Sequence, residues 1–358
     1  MNPDFVSNEE IVRAARRNLG QGEWDYLVGA SESETTMRRN RLAFDKLAFR
    51  PRVLIDISTV DPSSSLLGLS LRIPVILAPI GSLQVFAPEG GKASAQAAEE
   101  FGTVLVVSSV TDPSLEEIAA STPSGKIFQL YVHGDWGWVE EMVHRAKEAG
   151  YSALCLTVDT AHYSRRERPM LDRWVTPSRR TPRDPKYLAS VTWETMAKIK
   201  ELAGLPFLLK GVATADDALL AVDHGVDVIW VSNHGGRQLD RGLGAMDVLP
   251  EIVQAVAGKA DIVLDGGVQR GSDAVMAIAL GAKAVAIGKL QSWGLAANGP
   301  AGLVRVLEIL EDELTTAMAL LGVTDIGQLG PEYVRQADPV TPPHEMSAWV
   351  NMPEGRIL

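Results

Sequence analysis

Polar side chains stand at the ends of otherwise apolar runs throughout this sequence, and their types suit one shared site. Ser108 falls in VLVVSS, Gln129 and Tyr131 in KIFQLY, Thr157 and Asp159 in ALCLTVD, and Lys210 in PFLLKG. Ser232, Asn233 and His234 finish DVIWVSNH, and Asp265 finishes DIVLD. A buried polar group left unpaired costs roughly 1–3 kcal/mol, so a polar residue at each run end implies pairing among themselves or with a ligand. DGGVQRGSD and IGK form a second set: Gly266, Gly267, Arg270, Gly288 and Lys289 offer backbone N–H groups and positive charge to one phosphate. The same glycines would also serve plain tight turns. A lysine placed like Lys210 can instead form a Schiff base with a carbonyl substrate, as in aldolases.

The elements that must position these groups repeat along the chain. From residue 74, short apolar runs alternate with helix-period stretches: PVILA (74–78), VLVVSS (104–109), KIFQLY (126–131), ALCLTVD (153–159), PFLLKG (206–211), DVIWVSN (227–233), DIVLDGG (261–267) and AVAIG (284–288). Amphipathic segments such as GKASAQAAEEFG, WVEEMVHRAKEAG and TADDALLAVDHG lie between them, several ending on glycine. Continuous apolar strands with helical crossovers predict a parallel sheet covered on both faces, and eight such units predict a closed (β/α)8 TIM barrel. In that fold catalytic groups gather at the C-terminal strand ends, where the polar residues stand, and phosphate binds after strands seven and eight.

Around the barrel (66–325) we expect a helical N-terminal extension (1–65) and a tail (326–358), all within a single domain spanning 1–358. Ser7 and Glu10 form a capping-box pattern opening a helix with Ile11, Val12 and Ala15, and a second helix is predicted from Glu34 to Phe44, with WDYL between them. The connection after strand four, from Ala161 to about Ser190, is rich in Arg and Pro and reads as a mobile lid over the active-site face. The final stretch, PVTPPHEMSAWVNMPEGRIL, reads as an extended tail packed on a neighbouring subunit.

Bulk properties narrow the classes. The 34 Lys+Arg against 45 Asp+Glu give a net charge of -11, which disfavours a nucleic-acid surface. The single cysteine, Cys155, rules out an internal disulfide and reads as buried filler in a reducing compartment. The opening MNPDFVSNEE lacks a signal-peptide pattern, and no run reaches the ~18 apolar residues of a membrane span, so a cytoplasmic location is expected. No metal-ligand constellation is identified.

SNHGGRQLD (232–240), LTVDT (156–160) with RRE (165–167), FQLYV (128–132), LLKGV (208–212) and LDGGVQRG (264–271) resemble the FMN-dependent L-2-hydroxy acid oxidases and dehydrogenases over about residues 8–325. That family includes glycolate oxidase, lactate oxidase, mandelate dehydrogenase and flavocytochrome b2. The resemblance implies FMN as cofactor and oxidation of an L-2-hydroxy acid to the 2-keto acid. Oxygen, a quinone or another acceptor would take the electrons, and the protein would assemble as a homotetramer or homo-octamer. It implies His234 as base and Asp159 as the carboxylate that holds its imidazole. Arg237 with Tyr26 would clamp the substrate carboxylate, Arg166 would support that end, and Tyr131 would hydrogen-bond the substrate. Lys210 would face the N1 and C2-carbonyl edge of the flavin. The remaining implied flavin contacts are Ala78, Pro79, Ile80, Gly81, Ser108, Gln129, Thr157, Ser232, Asp265, Gly266, Gly267, Gln269, Arg270, Gly288 and Lys289.

The chain departs from the family pattern in places. Gln269 and Lys289 each replace an arginine of the phosphate loops, so weakened FMN binding is expected. Val110 stands where glycolate oxidase has a tryptophan, which predicts space for a substrate larger than glycolate. Gly81 replaces an alanine common in the oxidases. Two other readings are carried forward: a Schiff-base enzyme using Lys210, and a non-catalytic barrel that binds a phosphorylated ligand.

Overall fold

The computed structural model describes residues 5–352, so residues 353–358 of the predicted tail and 1–4 of the predicted extension lie outside the described residues. Eight parallel strands close into a barrel: β1 (Val75–Leu77), β2 (Leu105–Ser108), β3 (Lys126–Leu130), β4 (Ala153–Thr157), β5 (Phe207–Val212), β6 (Val228–Val231), β7 (Asp261–Asp265) and β8 (Ala284–Ile287). Each neighbours the next in sequence, and β8 pairs with β1 through Val285↔Val75 and Ile287↔Leu77. All eight predicted runs are strands, in the closed order expected.

Alternation along the strands builds two apolar layers. Ile76, Val106, Ile127, Cys155, Leu208, Val228, Trp230 and Val263 point inward and fill the cylinder, whereas Leu77, Val107, Phe128, Leu154 and Leu209 belong to the cluster shared with the crossover helices. Each large apolar side chain so buried contributes about 1.5–3 kcal/mol. A filled interior is a core and not a channel, so ligand chemistry is confined to the mouth. Cys155 is fully buried, and burial pushes its thiol up to about 12, consistent with filler.

The crossover helices start where the sequence supplies caps. Ser114 and Glu117 form a reciprocal capping box, and Asp135, Thr192 and Thr214 each accept a backbone N–H of the following helix. The crossover after β8 leads into Lys289–Leu321, which breaks at Asn298 and Gly299 before Pro300.

The extension departs from a purely helical reading. Helix α1 (Asn8–Asn18) begins at Ser7 as expected, and α3 (Thr35–Asp45) falls close to the predicted second helix. WDYL is not a connector but part of a further helix, α2 (Gln21–Val28), bracketed by Gly20 and Gly29. Beyond α3 the chain forms a short strand, Leu47–Phe49, and then a hairpin, Ser64–Leu66 with Leu69–Leu71, whose Leu66 and Leu71 pack under the inner layer and plug the barrel floor.

The segment after β4 folds as three short helices, Glu167–Leu171, Pro177–Arg180 and Lys186–Ala189. It is tied to the rest of the mouth: Thr176 Oγ1 donates to Ser82 Oγ at 3.0 Å, and Trp174 Nε1 to Glu23 Oε1 at 3.3 Å.

The described part of the tail corrects the expectation of an extended arm, since it folds back on its own chain. Val334–Gln336 pairs antiparallel with Leu47–Phe49. The residues beyond turn back onto the barrel mouth, where Trp349 is 1% exposed and meets Trp293 edge-on at 5.6 Å. Burying one indole on the chain's own surface supplies the local driving force that the polar, proline-rich stretch around it lacks. Among the described residues no helix is long and apolar enough to cross a membrane.

Candidate active site

A cavity of about 370 Å³ opens at the C-terminal ends of the strands, roofed by α2, α3 and the segment after β4. The end that holds the predicted catalytic residues is built by the turn after β6. Asn233 and Asn40 of α3 exchange side-chain amide hydrogen bonds of 2.9 and 2.7 Å, and Asn233 Oδ1 also accepts Gly236 N–H at 3.0 Å. That brace holds His234 at φ 59, a left-handed conformation rarely adopted by non-glycine residues. Gly236, at φ +75, lies so close to α3 that an added Cβ would stand 2.5 Å from Met37 N. The N-terminal extension is therefore part of the scaffold of the site.

His234 Nδ1 lies 2.9 Å from Asp159 Oδ1. Burial opposes the charge on Asp159, but His234, Lys210 and Arg166 lower its pKa below the ordinary value, so it is an acceptor and Nδ1 carries the proton. Burial likewise lowers the His234 pKa, with Asp159 opposing and Lys210 and Arg166 assisting. The neutral ring thus turns an unprotonated Nε2 away from Asp159, as a general base requires.

Next to it stand two arginines without a carboxylate partner among the described residues. Arg237 donates to the carbonyls of Gly29 (2.6 Å) and Leu27 (3.3 Å) and lies over the Tyr26 ring, 5.0 Å from its centroid. Arg166 donates to the Arg237 carbonyl (3.0 Å) and to Gln238 Oε1 (3.0 Å). Burial, then the neighbouring Arg237, pushes Arg166 down to about 9, and burial lowers Arg237 as well. Two desolvated guanidinium groups side by side call for an anion. Tyr131 is half-buried and lines the same cavity, and desolvation together with Asp159 raises its pKa well above the phenol range, so it stays a hydroxyl donor.

Lys210 occupies the centre of the mouth. Its Nζ is 2.7 Å from Asp265 Oδ2 and donates to Ser232 Oγ at 2.7 Å, while Ser232 Oγ donates to Asp265 Oδ1 at 2.6 Å. Burial disfavours its charge, but Asp265 and Asp159 outweigh that and raise its pKa. A lysine held protonated is a poor Schiff-base nucleophile. Beside it, Gln129 Nε2 and Oε1 and Thr157 Oγ1 are buried and have no hydrogen-bond partner among the described residues. Such orphaned donors and acceptors at adjacent strand ends fit the edge of a flat heterocycle with amide-like groups, as the flavin pyrimidine ring has.

The turn after β7, one of the two where phosphate binding is expected, forms a close-packed glycine cradle beside α3. Gly267 sits at φ +91, with an added Cβ only 2.6 Å from Asn40 O, so only glycine lets α3 approach the turn. Burial, then Arg237, lowers Lys289 to about 7, and its Nζ donates to Val28 O at 2.6 Å. Of the predicted cofactor residues, Ala78, Pro79, Ile80, Gly81, Lys210, Asp265, Gly266, Gly267, Gln269, Gly288 and Lys289 line the cavity. Ser108, Gln129, Thr157 and Ser232 are buried at the strand ends. Arg270 is placed elsewhere: its guanidinium pairs with Glu313 and donates to Ala348 O at 2.9 Å. Of the predicted substrate residues, Tyr26, Val110, Tyr131, Arg166 and Arg237 all line the cavity.

Sequence reasoning missed several lining residues. Trp174, 5.1 Å from Tyr26 ring to ring, comes from the segment read only as a lid. Asn40 sits in an ordinary amphipathic helix, and Glu345 in the tail, with no local signal to mark either. Gln238 was within reach, since it lies in SNHGGRQLD; its Nε2 donates to the Asp159 and His162 carbonyls at 3.2 and 2.9 Å.

Comparison with known proteins identifies the family. The family model described as FMN-dependent dehydrogenase matches residues 15–336. The L-lactate oxidase of Nostoc sp. is 39% identical over 352 residues, covering 91% of this chain and 96% of its own. The glycolate oxidase of Spinacia oleracea is 38% identical over 353 residues, covering 92% and 96%. A crystal structure of mandelate oxidase superposes with a TM-score of 0.88 at 35% identity, over 94% of this chain and 100% of that one.

Proposed function

Because the chain belongs to the FMN-dependent dehydrogenase family, we propose that it oxidises an L-2-hydroxy acid to the 2-keto acid at the barrel mouth. The observation that carries this reading is the neutral His234, oriented by Asp159, in one cavity with two half-buried arginines that lack an acidic partner among the described residues.

Gly266, Gly267, Gly288, Gln269 and Lys289 would hold the FMN phosphate, and Lys210, Gln129, Thr157, Ser108 and Ser232 the pyrimidine edge of the ring; Ala78 to Gly81 would pass along its face. FMN supplies a two-electron acceptor when bound. Arg237 receives the substrate carboxylate in its planar fork, with Arg166 and Tyr26 completing that end. Tyr131 donates its hydroxyl to the substrate oxygen that becomes the ketone. His234 Nε2 takes a proton from the substrate, and Asp159 stabilises the resulting imidazolium. Trp174 and the segment after β4 exclude water from the reacting carbon.

Val110, Gly81, Phe86, Trp174, Met170 and Val175 give the substrate end an apolar lining. That lining favours a 2-hydroxy acid with an apolar side chain larger than that of glycolate. Relatives named as oxidases support oxygen as the final acceptor. The exposed run Val53, Leu54, Ile55 and Ile57 offers a face for homotetramer or homo-octamer assembly. A cytoplasmic location fits the lone buried cysteine.

Anaerobic mixing of the FMN-loaded protein with L-lactate, glycolate, L-mandelate and longer aliphatic L-2-hydroxy acids tests the reading. Bleaching of the flavin with stoichiometric 2-keto acid is expected, strongest for the bulkier apolar acids, followed by rapid recovery on admitting oxygen. No bleaching with any acid of either hand would leave only a binding function.

A further inference from the structure

Resting on the assignment of the phosphate end above, we propose that Glu345 is an acidic cap on that end, competing with the cofactor's phosphate for the same cations and selectively weakening the binding of FMN.

The carboxylate is carried there by a firmly seated backbone. Gln269 Nε2 donates to Glu345 O at 2.6 Å, Arg270 Nε donates to Ala348 O at 2.9 Å, and Ser347 Oγ donates to Asp45 Oδ2 at 2.7 Å. Gln269 and Arg270, in the loop after β7 where a phosphate site would present its side chains inward, are thus spent on holding the tail. Gln269, which replaces an arginine, adds no charge to offset this.

Glu345 lines the same cavity as Lys289, Gln269 and Gly267. Its Oε1 is 3.2 Å from Arg168 Nη2, while Oε2 is 3.6 Å from His344 Nε2 and 3.9 Å from Arg38 Nε. Oε2 is buried without a hydrogen bond among the described residues, an uncomfortable place for an ionised oxygen. Lys289 is near enough to act on the carboxylate's charge.

Three further cations of the turn after β7 and its surroundings are already matched. Arg41 pairs with Asp273 at 2.6 Å and with Asp45 at 3.0 Å, Arg270 pairs with Glu313, and Arg168 is shared between Glu34 and Glu345. A phosphate that seats beside Lys289 must therefore either displace the Glu345 carboxylate or bear its repulsion. Both costs fall on the phosphate and neither on the ring system.

That asymmetry defines the test. Apoprotein is titrated with FMN and, separately, with riboflavin, which shares the ring and lacks the phosphate; flavin fluorescence reports binding. Glu345→Gln keeps the side-chain shape and the backbone contact to Gln269. It should tighten FMN by roughly ten- to a hundredfold, the scale of one nearby like charge in a largely buried site, and leave riboflavin within about twofold, an allowance for loss of packing alone. A ratio of FMN to riboflavin affinity unchanged from wild type overturns the proposal, as does equal tightening of both.

Hydrogen exchange on the unaltered protein needs no variant. FMN should speed exchange of the Met346, Ser347 and Trp349 amides relative to riboflavin, because a displaced carboxylate loosens the turn that those N–H groups close. Equal exchange with the two flavins contradicts it. Apoprotein that binds neither flavin would instead overturn the cofactor assignment, and this inference with it.

Discussion

Replacing Asp159 with asparagine separates base catalysis from binding. In the native site His234 Nδ1–H donates 2.9 Å to a carboxylate whose negative charge is maintained by His234, Lys210 and Arg166. In the proposed reaction proton uptake turns the ring into an imidazolium. A hydrogen bond to a charged partner contributes about 1.5–3 kcal/mol, and a charge at this range moves a pKa by about 1–3 units, each unit being about 1.4 kcal/mol. Only the part that differs between imidazole and imidazolium affects the barrier, so a loss of about 2–4 kcal/mol is expected. That corresponds to about a 30- to 1000-fold slower step. The proposed carboxylate clamp rests on Arg237, Arg166 and Tyr26; Gln238, which accepts from Arg166, bonds the backbone oxygen of residue 159 and not its side chain. Substrate affinity should therefore stay within about threefold, and the removal of a negative charge would if anything favour an anion. The assay is anaerobic stopped-flow flavin reduction across substrate concentrations. A limiting reduction rate within threefold of wild type, or a loss confined to substrate affinity, would refute the roles given to this pair.

Arg237→Met should lower kcat/KM by about ten- to a hundredfold through KM, since it removes charge-assisted bonds worth about 1.5–3 kcal/mol; steady-state kinetics with the best substrate would show an unchanged KM if Arg237 is not the clamp. Gly81→Ala should penalise bulky acids more than glycolate, because the new Cβ would stand 2.8 Å from Val110 Cγ2 and force that side chain to shift; Val110→Ala in the same chain should restore the bulky acids, and failure to do so would contradict the contact. The pH dependence has a definite sign: burial depresses the His234 pKa below 6.5, so the neutral base persists through neutral pH and protonation of His234 lowers kcat/KM on the acid side, below that value. An acid limb centred above it would be inconsistent with the site described.

The barrel was legible because its signals are local. Eight apolar runs such as VLVV and VIWV were spaced by amphipathic helices, and polar residues at their ends marked the mouth before any geometry was known. His234, Asp159, Arg237, Lys210 and Tyr131 arrive from four strands and their loops; the structure brings four of them to line one cavity and sets Asp159 against His234 Nδ1. What escaped depends on contacts distant in sequence. QGEWDYLV carries no clear apolar stripe, and its helix is fixed by packing of α2 against the segment after β4. Leu47–Phe49 becomes a strand only by meeting Val334–Gln336. Trp349 in the tail finds Trp293, and nothing in PVTPPHEMSAWVNM announces that partner. Arg270 looked like a phosphate ligand from its place in the loop, yet Glu313 and the Ala348 carbonyl claim it.

The most direct test of the central claim is His234→Ala, loaded with FMN and mixed anaerobically with the acid that reduces the unaltered enzyme fastest. The account predicts that the flavin stays bound and the acid still binds, through Arg237 and Arg166, while reduction slows by at least about a hundredfold, the lower end for loss of a general base. Flavin reduction at the unaltered rate would contradict it.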